Sequence, residues 1–394
     1  MHKIEKLLHT LAPKGVEFRK LGEVINILKG KQLNKELLLD YGEYPVMNGG
    51  IHASGYWNEY NTDYPKIIIS QGGASAGYVN YMTSKFWAGA HCYAIELNSE
   101  KLNYKFLYYF LKNSQTILMK SQFGAGIPAL NKADIETLTI PIPPLEIQQE
   151  IVKILDAFTE LNTELNTELK ARKKQYEYYQ NMLLDFNDIN QSHKDAKIKT
   201  YPKRLKTLLQ TLAPKGVEFR KLGEVCDFQK GKSITKKAVT FGKVPVISGG
   251  RQPAYYHNEA NRSGETIAIS SSGVYAGYVS YWDIPVFLAD SFSVSPKQKT
   301  LMPKYLFHYL TTQQDAIHAT KSTGGIPHVY SKDLQNFLIP IPPLEIQQEI
   351  VKILDQFSIL TTDLLAGIPA EIKARKKQYE YYREKLLAFK PLLK

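Results

Sequence analysis

Ile140–Asp156 reads IPIPPLEIQQEIVKILD, and the same seventeen letters return at Ile339–Asp355. Working outward, TLAPKGVEFRKLGEV occurs at Thr10–Val24 and again at Thr211–Val225, and KARKKQYEYY at Lys170–Tyr179 and Lys373–Tyr382. The chain is therefore a tandem duplication. Its period of about 200 residues is domain-sized, unlike the 20–50-residue units of a solenoid. Between the identical blocks the halves still align but differ. PVMNGGIHASGYWNEYN (Pro45–Asn61) faces PVISGGRQPAYYHNEAN (Pro245–Asn261), and ISQGGASAGYVNY (Ile69–Tyr81) faces ISSSGVYAGYVSY (Ile269–Tyr281).

The invariant block predicts a long helix. From Leu145 the apolar residues Ile147, Ile151, Ile154, Phe158, Leu161 and Leu165 alternate steps of four and three, a heptad seam, which resumes through Tyr176, Tyr179 and Leu183. Pro143-Pro144 end the preceding strand and suit a helix start, with Glu146 and Glu150 near the positive end of the dipole. The second copy runs from Ile346 through Ile350, Ile353, Phe357, Leu360 and Leu364. A helix over 145–184 would be ~60 Å long. Two matched seams on one chain can bury against each other, the second helix running back antiparallel; a dimerisation seam is the alternative. Thr159–Lys170, TELNTELNTELK, iterates a four-residue unit, each adding ~6 Å of helix. Such a unit could move the flanking domains apart while roughly keeping the seam in phase. In the second copy Gly367-Ile368-Pro369 should kink or interrupt the helix.

The variable zone predicts a mixed α/β domain. Lys66–Ser70, Gly77–Met82 and Phe86–Leu97 read as strands between glycine-rich turns. Tyr104–Leu111 has helical apolar spacing, and its twin begins with Pro303, suited to a first turn. Cys92 and His91 fall in a strand-like run and read as core.

Composition narrows the function. With 43% hydrophobic and 22% charged residues the 394-residue chain is globular and long enough for two or three domains. Lys+Arg 50 against Asp+Glu 38 gives a net charge of +12, which favours polyanionic partners such as nucleic acid or an acidic membrane surface. No apolar run approaches the ~18 residues of a membrane span, and Met1-His2-Lys3-Ile4-Glu5 does not start a signal peptide, so the cytoplasm is expected. Cys92 and Cys226 alone exclude a disulfide scaffold or Cys₄ zinc site. Enzyme motifs fail too. Lys230-Gly231-Lys232-Ser233 ends like a Walker A loop, but Cys226 stands where the first Gly belongs. Gly124-Ala125-Gly126 is followed by Ile127-Pro128, against a dinucleotide-binding helix. The nine His form no closely spaced ligand set, and both PP pairs are followed by leucine, unlike an amino-methyltransferase motif.

The two-fold repeat, the GIP…PIPPLEIQQEIVKILD block before a long helix, KARKKQYEYYQNMLL and the TELN iterations together resemble the specificity subunit of type I restriction–modification systems, over essentially the whole chain. The resemblance implies an α+β protein: two mixed α/β target recognition domains joined by two long antiparallel coiled-coil helices, with an internal pseudo-two-fold repeat. The expected division is 1–142 for the first recognition domain, 143–195 for the central helix and linker, 196–341 for the second recognition domain and 342–394 for the distal helix. Each recognition domain would read one half of a split double-stranded DNA site. The helices would set the spacer and dock two modification (methyltransferase) subunits, with restriction and translocase subunits for cleavage. No catalysis or cofactor is then expected in this chain; S-adenosylmethionine, ATP and Mg would belong to partner subunits.

No base-contacting residue follows from the resemblance, so candidates come from polar loop positions where the halves differ. These are His52 against Gln252, Ile51 against Arg251, Gln71 with Ser75, and Ser271, Ser272 with Tyr275. Arg251 suits a guanine edge, and Gln252 or Gln71 an adenine edge. Lys29, Lys31, Lys230 and Lys232 flank glycines that permit close backbone approach, as phosphate contacts or as solvated turn lysines. Arg172, Lys173 and Lys174, with Arg375, Lys376 and Lys377, form basic helix steps that touch DNA, a partner or solvent only. Tyr176, Tyr178, Tyr179, Tyr379, Tyr381 and Tyr382 read as packing residues rather than base-stacking ones. Two other functional classes remain at this point: a coiled-coil scaffold without DNA contact, and a self-contained methyltransferase or nuclease.

Overall fold

The seam of the invariant block forms the helix Leu145–Leu184, as its spacing predicts. The computed structural model describes residues 2–124, 126–186, 201–297, 299–322, 325–362 and 367–392. In the second copy the same block forms Leu344–Thr362 and then, beyond an interruption, Ile368–Leu386. The Gly-Ile-Pro break thus falls where proline forbids continuation, with Pro369 inside the first turn of the new helix, where its missing N–H costs nothing. Seam residue Leu364 lies outside the described residues, as do 187–195 of the linker and Ala125 of the Gly-Ala-Gly stretch.

The described chain groups into two compact units, Met1–Asn166 with Glu371–Lys394, and Thr167–Ala370. In the first unit a four-stranded antiparallel sheet has the order Ile25–Lys29, Cys92–Leu97, Lys66–Ser70, Val79–Met82. A three-stranded sheet orders Gly55–Trp57, Tyr44–Met47, Trp87–Ala88. The run Lys66–Ser70 explains the layering, because strand side chains alternate between faces. Ile67 and Ile69 face the main core with Ile95, Phe106 and Leu107 of the helix Tyr104–Asn113, while Ile68 faces a smaller core of Met47, Phe86, Ala88, Cys92 and Ala94. All three isoleucines are at most 3% exposed, each contributing roughly 2 kcal/mol. The second unit repeats the arrangement with Ile267 and Ile269 on one face and Ala268 with Ile247, Val286 and Leu288 on the other. Its corresponding helix, Pro303–Thr312, carries Pro303 in the first turn as expected.

Two expectations need correction. Phe86–Leu97 is not one strand: Trp87–Ala88 belongs to the small sheet and Cys92–Leu97 to the large one. The chain crosses between them at Gly89, where a Cβ would come within 2.6 Å of Asn48 Oδ1. His91 sits in that crossing and is exposed, so it is not core, whereas Cys92 is buried.

The invariant helix start is tied to its recognition domain by one buried glutamine. Gln148 donates from Nε2 to the carbonyls of Lys101 and Pro143, and its Oε1 accepts from the Asn103 amide at 2.7 Å. Gln347 repeats the bonds to Thr300, Pro342 and Met302. Two turns further, Asp156 takes Lys105 at 2.7 Å and the Tyr109 hydroxyl. Asp355 takes Lys304 at 2.6 Å and His308 Nε2 at 2.9 Å. Burial pushes the Asp355 carboxyl up, but His308 and Lys304 outweigh it and hold it below the ordinary range.

The seam serves two partners. Ile147, Ile151 and Leu155, a step of four each time, are fully buried in the recognition-domain core. Phe158 instead stacks on Tyr382, centroids 5.5 Å apart and planes at 25°, and approaches Tyr379. In the second unit Phe357 stacks on Tyr179 at 5.1 Å and 24° and approaches Tyr176. Each unit is therefore closed by the KARKKQYEYY segment of the other repeat. Residues just past that segment lock it: Arg383 Nε donates to Asn113 Oδ1, and Gln180 Nε2 to Thr311 Oγ1 and the His308 carbonyl.

Replacing Phe158 by Ala should remove about 3 kcal/mol from the first unit's closure. Hydrogen exchange should then show lost protection over 371–386, with the helix Leu344–Thr362 of the second unit unchanged. Unaltered protection at 371–386 would show that the ring stack is not what closes the unit.

Candidate nucleic-acid interface

In each unit the loops singled out from the sequence converge on the crossing between the two sheets. In the first unit Gly30 N donates to Cys92 O at 2.9 Å and Lys31 N to Ala88 O at 2.8 Å, fixing the Lys29–Lys31 turn beside the crossing. Gln71 N donates to His91 O at 2.9 Å. Gly49, at φ +81°, lays the Ile51–His52 loop across Gly72, whose oxygen is 3.2 Å from where a Cβ would stand. Gly73 N donates to Pro128 O and Leu130 N to Gln71 O, both at 2.8 Å. The second unit repeats the pattern: Gly231 to Ser291, Lys232 to Leu288, Ser271 to Asp290, Gly273 to Pro327 and Val329 to Ser271. The two NGG/SGG stretches are thus backbone necessities. At Gly249 a Cβ would lie 2.5 Å from Ser272 O.

The glycines between the lysines have a structural use of their own. A Cβ at Gly30 would meet Gly89 O at 2.1 Å, and one at Gly231 would meet Ala289 O at 2.5 Å. Their room is filled by this chain's own backbone, while Lys29, Lys31, Lys230 and Lys232 remain exposed.

The side chains on this common frame differ between units. Ile51 and His52 are exposed in the first, Arg251 and Gln252 in the second. Ser75 is half-buried. Gln71 is half-buried with its Oε1 turned away from solvent. It sits beside Tyr93, whose phenol burial pushes up while Gln71 works the other way. In the second unit Ser271 is half-buried, and the Ser272 hydroxyl is spent on the Asp290 carboxylate. Arg251 lies over the Tyr275 ring at 4.9 Å and the Tyr278 ring at 5.6 Å, leaving Tyr275 41% exposed. Contact with the two rings restricts the guanidinium's freedom, which suits bidentate recognition.

On the helices, Arg172 pairs with Glu168 and Arg375 with Glu371, one turn away in each case, while Lys173, Lys174, Lys376 and Lys377 point to solvent. Four of the six tyrosines form the ring pairs with Phe158 and Phe357; Tyr178 and Tyr381 are 61% and 52% exposed. Burial pushes the Cys92 and Cys226 thiols up to about 12, so neither is a ready nucleophile. Among the described residues no His, Cys, Asp and Glu group as a metal site, and no helix is long and apolar enough to cross a membrane.

Sequence reasoning missed the clamps behind these loops. Asn61 donates to Ala88 O and accepts from Ala88 N, as Asn261 does with Leu288. Arg262 donates to Ser293 Oγ and to the carbonyls of Asn261, Gln229 and Lys230, adding a cation beside Lys230. The shared Asn of NEYN and NEAN was the available signal for the first; nothing distinguished Arg262 from a surface arginine.

Comparison with known proteins agrees with this architecture. The family model described as the type I restriction modification DNA specificity domain matches twice, over residues 13–174 and 214–374. A type I restriction enzyme specificity subunit of Haemophilus influenzae is 34% identical over 98% of both chains. The Escherichia coli EcoR124I/EcoR124II specificity subunit is 30% identical over 99% of this chain and 97% of its own. Among solved structures, the S subunit of a Mycoplasma genitalium type I restriction–modification system superposes with a TM-score of 0.67 at 24% identity, over 95% of this chain and 96% of that one. A chain from a structural study of type I complex assembly and conformational transition gives 0.54 at 20% identity, over 96% and 98%. With two family matches spanning most of the sequence on two matching recognition units, this chain belongs to the family of type I restriction–modification specificity subunits.

Proposed function

We propose that the two recognition units read two different words of one split DNA site, and that the TELN stretch sets the distance between those words. DNA sequence recognition with two domains is the business of the family, and catalysis in these systems rests with partner subunits. What supports the finer reading is a single contrast: one backbone frame, built identically in both units, presents different side chains at 51, 52, 71 and 75 and at 251, 252, 271 and 275. Different donors and acceptors on equivalent loops read different base edges, so the words should not form a palindrome. The exposed Lys29, Lys31, Lys230 and Lys232 suit phosphates. The exposed helix lysines and Tyr178 and Tyr381 suit two methyltransferase subunits, which would carry the S-adenosylmethionine, with ATP and Mg on restriction and translocase subunits.

Several TELN side chains bond back along their own helix, which suits a spacer of adjustable length, although Thr159 also meets the Tyr109 hydroxyl at 3.5 Å. Thr159 and Thr163 donate to the carbonyls four residues back, and Asn162 and Asn166 do the same.

Three measurements test this. Titration of the assembled methyltransferase complex against a duplex carrying its own methylated site should show affinity falling steeply with salt, as counterion release requires; salt-independent binding would refute a phosphate-tracking interface. Replacing Arg251 by Ile, its counterpart in the first unit, should alter one half-word at a guanine in genome-wide methylation maps and leave the other word intact; two changed words, or none, would refute the assignment. Deleting Thr163–Asn166 should shorten the preferred spacer by up to about two base pairs, from ~6 Å of helix against ~3.4 Å per pair, with both words kept. Altered words at an unaltered spacer would overturn the ruler.

A further inference from the structure

Beside the variable loops each unit holds out an isoleucine that its core does not use. Ile127 is 79% exposed and Ile326 65%. Both sit at the tip of a Gly-Ile-Pro turn that follows the helices Gln115–Lys120 and Gln314–Ala319. The C-terminal side of each tip is tied to the neighbouring loop. Gly325 stands at φ +84° directly before Ile326, Gly124 at φ +102° three residues before Ile127, and a proline with fixed φ follows each isoleucine. The Pro128 and Pro327 carbonyls accept from Gly73 and Gly273, and Leu130 and Val329 donate to Gln71 and Ser271. The isoleucine is therefore bolted to the very loop that carries Gln71 and Ser75, or Ser271, Ser272 and Tyr275.

We propose that Ile127 and Ile326 are wedges that enter the base stack of the bound duplex, one at each half-site, adding affinity and local unstacking but no sequence information. This rests on the DNA-reading assignment above and deepens it. Isoleucine has no donor or acceptor with which to tell base pairs apart, while apolar side chains on rigid mounts are suited to entering a base step. On the loop that holds each tip the units differ, Gln71 and Ser75 against Ser271 and Tyr275, yet both carry Ile-Pro here. A side chain shared by two domains that read different words cannot carry the difference between them. The surroundings point to a polyanion as the occupant. In the second unit Lys321 reaches the Val274 carbonyl on the adjacent loop, where Arg251 lies over Tyr275. In the first, exposed Lys120 ends the helix before the tip, and Phe123, 50% exposed, is bridged to Ala129 beside Ile127.

The test uses the whole methyltransferase complex and a duplex containing the site it methylates, with 2-aminopurine placed in turn at each step of both half-sites and a scrambled duplex as control. Three proteins are compared: unaltered, Ile127→Ser with Ile326→Ser, and Ile127→Leu with Ile326→Leu. The unaltered complex should raise 2-aminopurine fluorescence at one step in each half-site. The serine pair should lose that rise and bind at least about tenfold more weakly, with the methylated words unchanged; the leucine pair should retain both properties. A serine pair with undiminished affinity and fluorescence overturns the proposal. So does one that fails to assemble with the methyltransferase subunits on size-exclusion chromatography, which would make the tips protein contacts. An unaltered complex that does not prefer the site over the scrambled duplex would instead refute the DNA-reading assignment itself.

Discussion

Each unit depends on a ring stack that neither repeat can make alone: Phe158 on Tyr382 in one, Phe357 on Tyr179 in the other. Aromatic pairs in this geometry add ~1 kcal/mol beyond the area they bury, but their larger effect here is topological. The invariant helix of each repeat begins under its own recognition domain, and the KARKKQYEYY segment that completes the packing comes from the other repeat. Identical sequence makes identical closure available to both units. The residues that differ just after it, Gln180 and Arg383, then bond to the particular recognition helix each one meets.

The joint between helix and recognition domain asks little of the variable partner. Gln148 and Gln347 bind only backbone groups, so any loop of the right path satisfies them. Asp156 and Asp355 each take a lysine from the recognition helix, then accept a tyrosine hydroxyl in one unit and a histidine nitrogen in the other. A half-buried carboxylate needs its charge answered and its lone pairs filled. Either partner does this, which lets the recognition domains diverge without loosening the mount.

The same division runs through the candidate interface. Glycines at 30, 49, 231 and 249 are fixed by backbone crowding within the unit, and the asparagines at 61 and 261 by paired bonds to one strand. The side chains between them are free of such duties, with exceptions the fold imposes: Ser272 is committed to Asp290, and Gln71 turns its amide oxygen inward.

By itself the sequence determined the duplication, the long helix and its Gly-Ile-Pro break, the helix at Tyr104, four of the six tyrosines as packing groups and the family. Each of these is written in local periodicity or exact repetition, and for the helices local hydrogen bonding enforces it. Tertiary structure alone decided that Phe86–Leu97 splits between two sheets, because Gly89 crosses against Asn48, a neighbour forty-one residues away. It alone placed the lysine turns, the GG loops and the Gly-Ile-Pro tips around one crossing, and it alone gave Ile147, Ile151 and Leu155 to the recognition core and Phe158 to the partner helix. A seam announces that a face is apolar; which surface covers it is settled only when non-local packing has brought the candidates together.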